Sequence, residues 1–368
     1  EVTEVTGVVG NAIKTQNMID NTLIKYFGEK LANKRDNVHT DLADVKIVGS
    51  AAHRNMQIPT MVTATLKADK RNNNHLMLIN KAVNCNANNE MNNNKTAEYF
   101  SVEMNPGLFL IGLDMGGEGV DGREIKPGHA TSNSYLIVGS EKALLIDSMG
   151  DIPGFKEFAE KVAEVPIMFV LSHAHLDHIV RLKEFDEFWV HKDDEALLHG
   201  AYGMPPYDKI PSRIHYLQHG DLIDLGDRRV DVYNIKGHTM GSLLFLDRKT
   251  RTLVSGDTIA RRLLYGISGW APLDEFVYAI MDLEKQEFDG ILSAHDRFIL
   301  PKSHIRYMID AIKKVGETTK RISLLGIEFL QVVMGNENEM EYQDITIPVQ
   351  YIDLAKNSVK KLIKETVM

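Results

Sequence analysis

The sequence predicts an α/β protein built as a four-layer αβ/βα sandwich, with a small α+β segment in front and a strand–helix extension behind. Three observations carry this expectation. From Tyr99 onward, short apolar runs are broken by Gly, Ser and charged residues, which is the pattern of β-strands. Stretches with helical apolar spacing are interspersed among these runs, so two sheets of consecutive strands with helices outside fit better than one doubly wound parallel sheet. Clusters of His and Asp recur at the ends of predicted strands, where a sheet presents its loops to one edge.

Taken in order, residues 1–97 read as the small α+β segment. Ile19, Leu23, Phe27 and Leu31 recur at four-residue spacing, an amphipathic helix. Residues 58–69 and 75–83 read as strands, and Asn84 to Lys95, "NCNANNEMNNNK", as a loop or linker without apolar periodicity. Residues 98–315 form the central domain. Its strands are expected at 107–112, 133–139, 142–148, 166–172, 187–191, 229–235, 242–248 and 252–257, with helices at 152–164, 273–287 and 303–315. Residues 316–368 read as a strand, a polar turn at Gly335–Glu339, a second extended piece and a final helix, an extension free to pack on the N-terminal segment.

Composition narrows the function. The chain has 368 residues, 43% hydrophobic and 25% charged, as in a soluble globular protein. A formal net charge of −9 repels phosphate backbones, so a small-molecule substrate is expected and nucleic acid is not. Cys85 is the single cysteine, which excludes an intrachain disulfide and any CxxC metal site. No run of about 18 apolar residues is present, so no membrane partner is expected. The chain opens on Glu1 without Met, which leaves the compartment open between cytoplasm and export after signal removal.

The chemistry starts at "FVLSHAHLDHIV", Phe169 to Val180. His173 and His175 lie two apart where a strand ends, so both imidazoles point to one side and converge on one ion. Asp177 and His178 come from the following turn and face a second ion. Nitrogen and carboxylate donors suit zinc, and also iron or manganese. Three further residues follow predicted strands: His238 in "GHTMGS" between Gly237 and Gly241, Asp257 in "SGD" after Gly256, and His295 in "SAHD". The chain has fourteen histidines, and His53, His75, His199, His215, His219 and His304 read as surface or structural residues.

"HAHLDH", "GHTMGS", "SGD" and "SAHD", in that order, with "LLIDSMGD" upstream, resemble the metallo-β-lactamase-fold hydrolase superfamily over about residues 100–315. The resemblance implies that His173, His175 and His238 hold one divalent metal and Asp177, His178 and His295 another. Asp257 bridges the two, and Asp147 orients the histidine cluster from behind. It further implies two metal ions, zinc foremost, and a bridging hydroxide that attacks a carbonyl or phosphoryl centre, with Asp177 moving its proton. His191 stands where the superfamily often has a structural histidine.

Departures from the family pattern bear on substrate. Relatives often continue DHxGG, whereas here Val180 and Arg181 replace the glycines in a segment expected to begin a helix. Ser242 replaces a second histidine usual in glyoxalase-II-type thioesterases, and Asp257 argues against a dedicated β-lactamase. A flavodiiron protein and a nuclease each need an appendage not legible here. Arg181, Arg261, Arg262, Tyr265, Trp270 and His129 are the candidates for substrate contact. The first reading is a hydrolase of a small ester, lactone or thioester. A second is a phosphodiesterase with Arg181, Arg261 or Arg262 as anion clamp. A third is a non-catalytic metal-binding or interaction protein whose N-terminal segment is the functional part. For residues 1–97 three roles stay open under any reading: covering the active-site mouth, mediating a homodimer or packing on the back.

Overall fold

Two β-sheets packed face to face form the body of the protein, because most of their central strands are apolar on both sides. The computed structural model describes residues 2–9, 46–48, 60–67, 97–114, 131–317, 320–324 and 327–367. In front, β1 (Val2–Val9), β2 (Lys46–Val48) and β3 (Thr60–Lys67) form a three-stranded sheet in the order β1-β3-β2. The strand expected over 58–69 coincides with β3. The helix expected at 15–34, the strand at 75–83 and the Asn84–Lys95 linker lie outside the described residues.

The first large sheet holds β4 (Glu98–Asn105), β5 (Leu108–Asp114), β6 (Ser134–Val138), β7 (Ala143–Ile146), β8 (Ile167–Val170), β9 (Glu187–Val190) and β10 (Arg213–Tyr216). Their spatial order is their chain order. Pairing is antiparallel from β4 to β7 and parallel from β7 to β10. Helix α1 (Phe155–Ala163) makes the crossover from β7 to β8, and the short α2 (Glu195–Leu198) follows β9.

The second sheet runs β11 (Leu222–Asp224), β12 (Arg229–Asn234), β13 (Leu243–Asp247), β14 (Thr252–Gly256), then β16 (Gly290–Ser293) and β17 (Leu300–Pro301). Between them β15 (Arg262–Leu264) leaves for another sheet, and α3 (Leu273–Glu284) covers the outer face together with α4 (His304–Lys313). Strand alternation sorts the layers. In β7, Leu144 and Ile146 join Leu243 and Phe245 of β13 between the sheets, while Ala143 and Leu145 meet Phe155 and Ala159 of α1. Leu244 and Leu246 face outward to Phe276 and Ile280 of α3. The layers are therefore helix, sheet, sheet and helix, the predicted four-layer sandwich.

Beyond α4, β18 (Lys320–Leu324), β19 (Ile327–Gly335) and β20 (Tyr342–Pro348) join β15 in the order β15-β20-β19-β18. Helix α5 (Ile352–Val367) closes the described chain. Val332, Ile345, Ile347, Ala355, Val359 and Leu362 belong to the same core as α3 and α4, and Lys361 pairs with Asp274 at 2.6 Å. The extension thus packs on the sandwich, where the sequence had left it free to pack on the N-terminal segment. Sequence reading missed β1, β2, β4, β10, β11, β15, β17 and β18. Most are short or edge strands, and β15 exists only because Arg262 to Leu264 lie beside Asp344 to Thr346, far along the chain.

The helix expected after Val180 is absent. Ile179 bridges to Ser148 in extended pairing, and the Arg181 amide donates to the Ser148 Oγ, so only a single 3₁₀ turn, Leu182–Glu184, forms afterwards.

At the edge opposite Asp147, Arg228 ties the sheets together. Its guanidinium donates to the carbonyls of Pro106 at 2.7 Å, Gly107 at 2.8 Å and Val138 at 3.1 Å, and faces the buried Asp247 at 3.4 Å. Replacing it leaves the buried Asp247 without its counter-charge and takes a donor from three carbonyls, of which Gly107 keeps the Val138 amide. Arg228→Met is expected to cost about 3–5 kcal/mol, read as a lower urea midpoint at unchanged m-value; a change under about 1 kcal/mol would count against this account.

Candidate metal centre

Strand direction brings the proposed ligands to one edge. Asp147 follows β7, and His173 and His175 follow β8, which is parallel to it. His238 follows β12, Asp257 follows β14 and His295 follows β16. β12 and β14 both run antiparallel to β13, and β16 is parallel to β14, so all three leave the second sheet in one direction. The donor atoms gather in three overlapping groups: His173, His175 and His238; His173, His178 and Asp257; Asp177, His178 and His295. Within each group they lie within 4.8 Å of one another.

The rings are held from outside. His238 Nδ1 donates to the Leu264 carbonyl at 2.7 Å and His295 Nδ1 to the Thr131 carbonyl at 2.5 Å. His178 Nδ1 donates to Asp147 Oδ2 at 2.9 Å. Ser172 Oγ gives its proton to the same carboxylate at 2.6 Å and so accepts from His173 Nδ1 at 3.1 Å. His175 Nε2 lies 2.7 Å from Ser268 Oγ. Carbonyls and carboxylates only accept, so these partners assign the tautomers of His173, His178, His238 and His295 and leave the other nitrogen of each of these rings as a lone pair facing inward, while the Ser268 hydroxyl can either accept from or donate to His175. His238 Nε2 sits 3.1 Å from His173 Nε2 and 2.8 Å from His175 Nδ1. Ligands at about 2.0–2.1 Å on a tetrahedral zinc stand roughly 3.4 Å apart, so these three nitrogens fit one face of such a site.

Carboxylates complete the cluster. Asp257 is buried, with Oδ1 3.5 Å from His178 Nε2 and Oδ2 3.5 Å from His238 Nε2 and 3.3 Å from His295 Nε2. The half-exposed Asp177 has Oδ2 3.7 Å from His178 Nε2 and 3.5 Å from His295 Nε2. Among the described residues His178 Nε2 and Asp257 Oδ1 are buried without a hydrogen-bond partner, the state of atoms awaiting a ligand. Burial, then the His238 charge, lowers the His175 pKa to about 3. At His295 burial works the same way but Asp257 and Asp177 outweigh it, raising the pKa to about 9. One half of the site therefore refuses protons and the other draws positive charge. A pair of divalent cations satisfies both, so the donor set fits the implied metals.

Two residues that frame the site escaped the sequence reading. Asp194, buried after β9, accepts from the amides of Ala174 at 3.1 Å and Gly241 at 2.8 Å and from Thr239 Oγ1 at 2.8 Å. It staples the loop of His173 and His175 to the loop of His238. Gly241 is bare because a Cβ there would lie 2.6 Å from Asp194 Oδ1. Ser268 is the second. The only sequence signal for either was a polar residue close to a strand or glycine-rich bend, which is too common to select. The backbone of Asp147 takes φ 64°, a region costly for a non-glycine residue, and so turns its carboxylate to the Ser172 amide at 2.7 Å and to His178. Ser242, in place of a histidine, closes the Thr239 turn, with Oγ 2.8 Å from Thr239 Oγ1. His191 accepts from the Asp193 amide at 3.1 Å, a local turn contact.

Most of the suggested substrate contacts are spent elsewhere. Arg181, expected to reach substrate or solvent, is buried and donates to the Asp151 carbonyl at 2.7 Å. Arg261 is buried too, bonded to the carbonyls of Glu337 and Glu339 and facing Asp296. Arg262 pairs with Glu337 at 3.0 Å. The Tyr265 hydroxyl donates to the Ala271 carbonyl at 2.9 Å inside the core, so it is no oxyanion donor. Trp270 stacks on Tyr351 at 4.9 Å between ring centres. His129 lies outside the described residues.

Residues 127–275 match the family model of the metallo-beta-lactamase superfamily, which this part of the chain resembles. Over 163 residues the chain is 31% identical to the acyl-coenzyme A thioesterase MBLAC2 of Gallus gallus, covering 35% of this chain and 57% of that protein. Over 124 residues it is 30% identical to the hydroxyacylglutathione hydrolase of Xanthomonas axonopodis pv. citri (strain 306), covering 34% of this chain and 44% of that one. The matched part spans about half the length of these relatives. Among solved structures, a metallo-beta-lactamase from Pontibacter korlensis aligns with a TM-score of 0.44 at 14% identity, over 57% of this chain and 96% of that chain. Among the described residues no helix is long and apolar enough to cross a membrane.

Ser268 offers a clean test of the outer hydrogen bonds. Ser268→Ala frees the His175 ring without emptying the core, and zinc affinity measured by chelator competition is expected to fall about 10–100-fold. Affinity equal to that of the unsubstituted protein would show that Ser268 does not hold the ring.

Proposed function

We propose that this chain is a dinuclear metal-dependent hydrolase that cleaves a small ester, lactone or thioester, thioesters foremost. The observation that carries this reading is the set of five imidazoles, each anchored from outside by one nitrogen and turned inward by the other, around Asp257. His173, His175 and His238 would hold one ion and Asp177, His178 and His295 the other, with Asp257 between them. Zinc suits these donors first, then iron or manganese. Bound ions would supply the Lewis acidity that makes water nucleophilic at neutral pH and polarises the scissile carbonyl.

The chain's own groups do the rest. Ser172, Leu264, Thr131 and Asp147 keep the rings from turning, so no reorganisation is needed when charge develops. Asp177 is the exposed carboxylate of the cluster, and its Oδ2 is placed to orient the attacking water, accept its proton and pass it to the departing thiolate or alkoxide. The thioesterase and hydroxyacylglutathione hydrolase names of the relatives support an acyl thioester. The phosphodiesterase reading loses its proposed clamp, since Arg181, Arg261 and Arg262 are engaged in the fold.

Two experiments test the proposal. Elemental analysis of purified protein is expected to find about two equivalents of metal per chain; fewer than one would favour a non-catalytic role. A panel of chromogenic esters, lactones, thioesters, phosphodiesters and β-lactams should show turnover of the acyl substrates, lost on chelation and in Asp257→Ala. Full activity in Asp257→Ala would sink the shared mechanism.

A further inference from the structure

His295 is the least buried of the five imidazoles: its side chain is 26% exposed, while the other four are buried. It is also the one proposed ligand of its half that comes from the second sheet. Asp177 and His178 follow β8 in the first sheet, and His295 follows β16 in the second. Its ring centre stands 5.6 Å from that of His178. Packing encloses the ring only in part, so that spacing is held by the join between the sheets at the loop after β16.

The join is made by Thr131, Asn133 and Tyr135, alternate residues running into β6 of the first sheet. The Thr131 carbonyl accepts from His295 Nδ1, and its amide donates to the His295 carbonyl at 3.3 Å. The Tyr135 hydroxyl donates to the Ser293 carbonyl at 2.6 Å. Between them stands Asn133, fully buried. Its amide donates to the Ala294 carbonyl at 2.9 Å, and its Nδ2 to the Asp296 carbonyl and to Thr131 Oγ1, each at 3.0 Å. Its Oδ1 accepts from Arg297 Nε at 3.1 Å. A guanidinium only donates and a carbonyl only accepts, so the side-chain amide has one possible orientation. Its partners in this loop lie on both sides of His295. An apolar residue would fill the same space without a buried amide to satisfy, so the use of asparagine here lies in those bonds.

We infer that Asn133 is a positioning residue: it clamps the backbone on either side of His295 to the first sheet, and so sets where His295 stands relative to His178 and how tightly their half of the centre holds its ion. This rests on the dinuclear reading above, and the test separates the two. Affinities for cobalt(II) would be measured on the full chain by chelator competition. The absorption of the bound cobalt, calibrated with His295→Ala and His238→Ala, tells the two ions apart. In Asn133→Ala the ion of the Asp177, His178 and His295 half is expected to bind about 10–100-fold more weakly. The three-histidine half should keep its affinity, which reports an intact fold. The isosteric Asn133→Asp keeps the acceptor for Arg297, loses the donor to Asp296, and should show the same selective loss. A second readout needs no second ion. In the protein as purified, labelled with ¹⁵N-histidine, the His295 Nδ1 proton would be assigned by its absence in His295→Ala. Its magnetic resonance signal is expected to vanish in both Asn133 variants while that of His238 remains. Equal weakening of both ions would reduce Asn133 to a part of the general fold and overturn its role, as would an unchanged second ion together with an unchanged His295 signal. Selective loss of the His295 signal, in a chain that binds fewer than two ions even when unsubstituted, would leave the clamp standing and overturn the dinuclear reading.

Discussion

Lone pairs on buried imidazoles repel when they face one another, and this site forces them to do so. His173, His175 and His238 bring ring nitrogens to 2.8–3.1 Å because each outer nitrogen is already bound to an oxygen. At His173 and His238 neither ring rotation nor tautomer exchange relieves the contact without breaking one of those bonds. A cation among the nitrogens turns the repulsion into coordination. The remainder of the structure reads as support for that arrangement: two sheets of fixed direction, and loops pinned by buried carboxylates.

Two aspartates do most of the pinning, from opposite sides. Asp147, held in a strained backbone, binds Ser172 and His178 and thereby couples β7 to the loop after β8. Asp194 couples that same loop to the one carrying His238, from beneath Gly241. Burial raises the Asp194 pKa to about 6, and its three donors only partly offset this. Such carboxylates are costly to bury, and they hold their place because every nearby donor is aimed at them. The rigidity this gives lies where ligand geometry tolerates little error.

Most of the proposed ligand residues follow strand ends, on rigid elements. The loops between them vary without disturbing the sheets. The arginines of the variable region turned inward: Arg261 joins the β19–β20 turn to Asp296, next to His295, so the C-terminal extension braces the edge of the site as well as the outer core.

The sequence alone determined the strands that carry His173, His175, His238, Asp257 and His295, because period-two apolar runs and strand-end polar residues are local signals. It also determined the sandwich, since these runs follow one another with helices between. Only the tertiary structure decided the partners. Whether Arg181 met substrate or the Asp151 carbonyl, and where residues 320–367 packed, depended on contacts tens of residues away, and Tyr265 turned into the core to meet the Ala271 carbonyl six residues on. The helix expected after Val180 gave way to a bridge with Ser148, thirty-odd residues earlier and invisible to any local window. Asp194 and Ser268 went unread for the same reason. A side chain's type restricts what it can bond, but its neighbour across the fold decides what it does bond.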